Sequence, residues 1–109
     1  MEKLRNVVYV VERYSSVSEW NVVECVAKNF QVAQEIMHTQ IRHDIGRFTK
    51  SGYEYPVVSS SVDTDDESVV YRMNFKHTGA RKGIKDIYVK YSISKFVVVP
   101  TSSSDWVTI

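Results

Sequence analysis

The residues with the most chemistry to offer are cations. Residues 72–90 hold Arg72, Lys76, Arg81, Lys82, Lys85 and Lys90 against Asp86 alone, a local excess of five positive charges in a chain of formal charge +1. Cations at this density neutralise phosphates and release their counterions, or meet an acidic protein surface. Tyr88, set among them, has a ring that can stack on a base. The same residue types also keep the outward face of an antiparallel sheet in water, so the run has a structural reading beside the binding one.

The opposite charge is concentrated in Asp63-Thr64-Asp65-Asp66-Glu67, four acids with no base. Calcium loops need such oxygens but also a glycine turn and a distant bidentate acid, and neither is present, so no metal is expected. Asp63, Asp65, Asp66 and Glu67 read as a solvated turn and a secondary acidic patch able to meet a basic partner. His38 and His43 are five apart, about 140° around a helix, whereas a helical metal pair needs a spacing of four. Cys25, between Val23 and Ala27 on a strand pattern, reads as a small buried hydrophobe. Asp44 falls on an apolar helix stripe, which a frayed helix end would explain. The chain carries no Gly-rich phosphate loop, no Gly-x-Ser-x-Gly elbow and no Cys-x-x-Cys pair. An enzyme would need a site assembled from scattered groups such as Asp44, Tyr53 and His77, so no catalytic residue and no cofactor are expected.

The basic run must be positioned by a hairpin. Val69, Tyr71, Met73 and Phe75 alternate with Val70, Arg72, Asn74 and Lys76, a period of two. Ile87, Val89, Tyr91 and Ile93 alternate with Tyr88, Lys90, Ser92 and Ser94 in the same way. The paired strands present Arg72, Lys76, Tyr88 and Lys90 outward, while Arg81, Lys82 and Lys85 crown the loop. Pro100 ends the last strand, and a terminal Trp106-Val107-Thr108-Ile109 is expected to dock.

Upstream, Val7 to Val11 is an unbroken apolar run that reads as a strand buried on both faces. Trp20 to Ala27 follows as a second strand, with Val23, Cys25 and Ala27 on one side. From Phe30 the period changes: Phe30, Ala33, Met37, Ile41 and Ile45 trace one helical stripe. Asn29 suits the N-cap and Gly46 a C-terminal stop. Val57 to Val62 reads as an edge strand, since its serine centre buries little. One Leu among 109 residues, with Val and Tyr dominant, argues for sheet.

The expected fold is therefore α+β: a mostly antiparallel sheet of four to five strands with one amphipathic helix on one face, in the order β-β-α-β-β-β. One domain is expected over residues 1–109. A single cysteine and no signal-like run after Met1 suggest a reducing, cytoplasmic setting, and no apolar run approaches the ~20 residues that span a bilayer.

The opening half, Val8-Tyr9-Val10-Val11-Glu12, then Val22-Val23, Phe30, Ala33 and Met37, resembles small α+β accessory proteins of phages and mobile elements. In these a β-hairpin leads directly into a helix that begins just after a phenylalanine. The resemblance covers roughly residues 7–45. It implies an accessory or counter-defence protein that acts by binding, with inhibitors of CRISPR effectors as one class. Many such inhibitors are acidic mimics of nucleic acid, and the charge of this chain departs from that pattern.

Two functions are thus expected. The first is a non-catalytic interaction protein that binds a larger protein or nucleoprotein. The second is nucleic-acid binding through the basic hairpin. Monomer and homodimer both stay open.

Overall fold

A computed structural model describes residues 6–79 and 83–98. The elements are β1 (Asn6–Ser15), β2 (Asn21–Ala27), α1 (Phe30–Lys50), β3 (Val57–Asp63), β4 (Ser68–Phe75) and β5 (Ile87–Val98). The fold is α+β, a five-stranded antiparallel sheet in the order β2-β1-β5-β4-β3 with the helix packed on one face. Arg81, Lys82, Pro100 and the 106–109 tail lie outside the described residues.

Connectivity explains the helix. The chain leaves the sheet at one edge, β2, and re-enters at the other, β3. Four inter-strand steps span roughly 19 Å, and 21 helical residues reach about 31 Å, so one helix crosses the sheet with length to spare. It lies mainly across β2, β1 and β5. Ala33, Met37 and Ile41 are buried against Val11, Val69, Met73, Val89, Tyr91 and Ile93. Each large side chain in this layer contributes about 2 kcal/mol by leaving water.

Asn29 caps the helix as expected, its Oδ1 accepting from the amides of Gln31 at 2.7 Å and Val32 at 3.2 Å. The expected stop at Gly46 is not observed. The helix continues to Lys50 because Phe48 extends the apolar stripe, its ring 5.0 Å from Phe75 and 6.0 Å from Tyr53. The glycine that ends the helix is Gly52, at φ +95, where the amides of Ser51 and Tyr53 return to the Phe48 carbonyl.

Two further expectations are corrected. β1 is buried on one face only, since Val8 and Val10 are half-buried on the face that α1 leaves open. In β2 the register slips: Val11 pairs with Cys25 but Glu12 pairs with Val23, leaving Glu24 as a bulge. The extra residue moves Val23 from the Cys25 side to the opposite face. No described helix is long and apolar enough to cross a membrane.

Candidate functional site: the open face of the sheet

Pairing register decides what the uncovered face presents. One row across the sheet reads Asn21, Tyr14, Lys90, Arg72 and Ser59, and the next reads Val23, Glu12, Ser92, Val70 and Ser61. Beyond these lie Val26, Val10 and Ser94, then Val8 opposite Phe96. The face is therefore graded. Aromatic and cationic side chains occupy one end, serines the middle, and apolar side chains the β2-β1-β5 corner at the other.

Local geometry fixes the basic end. Ser16 extends the β1–β5 ladder, its amide donating to the Tyr88 carbonyl at 2.8 Å while its hydroxyl accepts from the Tyr88 amide at 3.0 Å. This holds the Tyr88 ring 6.1 Å from that of Tyr14. Lys90 is the cross-strand neighbour of both Tyr14 and Arg72. Lys76 follows the end of β4, where its carbonyl accepts from the Glu54 amide at 2.7 Å. The sequence carries no local signal for Tyr14, because only the β1–β5 pairing brings it beside Tyr88.

The apolar corner is the more unusual feature. Val23, Val26 and Phe96 are 54%, 60% and 53% exposed, and the register places all three on the open face with Val8 and Val10. Antiparallel sheets commonly put one polar face in water. The exposed valines and phenylalanine on this face depart from that pattern.

The remaining basic residues do not converge here. Lys85 is exposed in the loop after Gly83, beside a depression lined by Ser16, Val17, Glu19, Tyr53, Asp86 and Ile87. Asp63, Asp65 and Asp66 form the exposed β3–β4 turn, with Asp63 Oδ1 accepting from the amides of both other aspartates. Glu67 departs from that patch. It takes φ 53 and turns inward to accept from the Tyr9 hydroxyl at 2.6 Å and from Lys95 Nζ at 3.3 Å. The Tyr9 bond holds its carboxyl below the ordinary range, with burial opposing and Lys95 assisting.

Asp44 is not at a frayed end. It is buried, accepting from Arg13 Nε at 2.9 Å and Nη2 at 3.1 Å, from Arg47 Nη2 at 2.9 Å and from the Tyr91 hydroxyl at 2.5 Å. Burial works against the Arg13 charge, yet Asp44 more than offsets it and the guanidinium titrates above its ordinary value. Burial, then the Asp44 bond, pushes the Tyr91 hydroxyl well above 10.0. With four donors on one carboxylate this is a satisfied buried pair, whose chemistry is structural. Tyr53 and His77 stack edge-on at 4.9 Å, away from these partners. Burial, then the charge of Glu24, raises the Cys25 thiol, which disfavours the thiolate. A depression of about 770 Å³ follows the outer side of the helix around Gly46, between Arg42, His43, Arg47 and Lys50. It is a trough on a convex surface.

Comparison with protein-family models, with curated proteins and with solved structures finds no match to this chain.

Proposed function

We propose that this chain is a non-catalytic interaction protein that binds a larger protein or nucleoprotein through the open face of its sheet. The observation that carries the reading is the exposed Val23, Val26 and Phe96 corner, continuous with the Tyr14, Tyr88, Lys90 and Arg72 end. Protein interfaces combine an apolar centre with a polar rim, and their strongest contributors are aromatic and arginine side chains. The complementary partner surface is apolar at one end and acidic at the other. A phage-type inhibitor of a defence nucleoprotein, such as a CRISPR effector, is the form of this function that the resemblance in residues 7–45 implies.

Direct nucleic-acid binding is the second reading, and the Tyr14–Tyr88 ring pair beside Arg72 and Lys90 favours it. Stacking and phosphate neutralisation would both be served there. Against it, Glu12 lies in the adjoining row and the far corner is apolar.

Capture from lysate on the immobilised chain, with and without nuclease and at two salt concentrations, separates the two. Protein binding predicts a discrete protein that survives nuclease and salt. Nucleic-acid binding predicts recovery of nucleic acid alone, with log affinity falling by about 0.7 to 0.9 per phosphate contacted for each tenfold rise in salt.

A further inference from the structure

The two edges of the sheet are built differently. β2 is interrupted by the Glu24 bulge, which breaks the ladder and places a charge at the edge. Both are devices that discourage edge-to-edge pairing. β3 has neither. Its pairing with β4 is unbroken from Val57 to Asp63, its only charge is the terminal Asp63, and Pro56 precedes the strand without entering it. All seven residues are exposed, and their outer backbone edge has no neighbour among the described strands.

We propose that this edge pairs with the same edge of a second copy of the chain, forming a two-fold homodimer with a continuous ten-stranded sheet. The strand sequence Val-Val-Ser-Ser-Ser-Val-Asp is self-complementary when laid antiparallel about Ser60. Val58 then faces Val62 of the second copy, Ser59 faces Ser61, and Ser60 faces its own counterpart on the axis. Every side chain keeps its face. Val58, Ser60 and Val62 stay on the helix side, and Val57, Ser59, Ser61 and Asp63 stay on the open side, as their β4 partners require.

Packing supports this register, and charge does not oppose it. Val58 and Val62 are 40% and 54% exposed in the single chain, and in the dimer four valines close over the axis, with a half-buried Tyr71 beside each Ser60. The two Asp63 carboxylates lie six residues apart along the ladder, about 20 Å, beyond the range of effective repulsion in physiological salt. Asp63 of one copy arrives at Val57 of the other, where the neighbouring β4 strand presents Asn74 and then Lys76 on the same face. Dimerisation also repeats the open face about the axis, which would make binding to a repeated partner bivalent.

Light scattering coupled to size exclusion, on the full chain at ~100 μM, tests this directly. The wild type is expected at twice the chain mass of 12.6 kDa. Ser60→Lys and Ser60→Glu each place two like charges across the axis and are each expected as monomers with unchanged far-ultraviolet circular dichroism. Mixing the two variants restores a dimer. A monomeric wild type, a dimeric Ser60→Lys, or a mixture that stays monomeric would overturn the proposal. A second measurement does not depend on introducing charge. Ser60→Cys in a Cys25→Ala background places two thiols on the axis at the Cα spacing of a strand pair, within disulfide reach. Oxidation is expected to give a covalent dimer, and its absence counts against the register.

Discussion

The Tyr91 hydroxyl donates to Asp44 Oδ2 at 2.5 Å, across 47 residues of sequence, and ties the last turns of the helix to the central strand of the sheet. Arg13 joins the same carboxylate oxygen from β1 and also donates to the Tyr91 oxygen at 3.1 Å. Three elements therefore meet at one carboxylate.

Asp44→Ala removes the acceptor and leaves Arg13 with a half-buried, unpaired charge. Breaking such a pair from one side costs about 3 kcal/mol, read as a lower midpoint in urea denaturation. Replacing Arg13, Asp44 and Tyr91 together by Met, Leu and Phe is expected to cost less than Asp44→Ala alone, because no buried charge is then orphaned.

Alkaline pH should weaken the fold through the same group. Tyr91 ionises near its ordinary value of 10.0 in the unfolded chain but stays neutral above that in the folded one. Its contribution is therefore complete below about pH 10 and is lost as pH rises from there toward the folded value. Tyr9 and Tyr71 are also raised, Tyr9 chiefly by its bond to Glu67 and Tyr71 by burial. Tyr91→Phe should flatten part of the alkaline loss at a neutral-pH cost of about 1 kcal/mol. A denaturation series between pH 8 and 11 measures both quantities.

Gly46 sits inside the helix with a helical backbone, and a Cβ there would meet nothing within 4 Å. Gly46→Ala should stabilise the protein by about 0.5–1 kcal/mol, through the reduced freedom of the unfolded chain. Gly52→Ala should destabilise it, since φ +95 is strained for any residue with a Cβ and the Cβ would come 3.2 Å from the His77 ring. Thermal denaturation of the two variants should give shifts of opposite sign.

These two glycines show where the sequence was legible and where it was not. The stripe of Phe30, Ala33, Met37 and Ile41 and the alternation in β4 and β5 are periodic, so face and element could be read from spacing alone. Which glycine stops the helix depends on Phe48 finding Phe75 and Tyr53, a tertiary contact with no local signal. The Glu24 bulge carries no residue-type marker either, and it alone moves Val23 onto the open face. Asp44, Arg13 and Tyr91 lie 31 to 78 residues apart. The charge of Asp44 on an apolar stripe was visible, but its partners were not. The open-face site was legible only in its Arg72, Tyr88 and Lys90 part, because its apolar corner is assembled across three strands.

The central claim is that the open face binds a protein partner, and the most direct measurement compares capture by the wild type with capture by Phe96→Glu. Phe96 is exposed on that face, so the substitution leaves the helix-side core intact. The expected result is a discrete protein held by the wild type after nuclease treatment, and lost at least tenfold on Phe96→Glu, a loss of about 1.4 kcal/mol or more, with circular dichroism unchanged. Capture that is undiminished by Phe96→Glu would contradict the account.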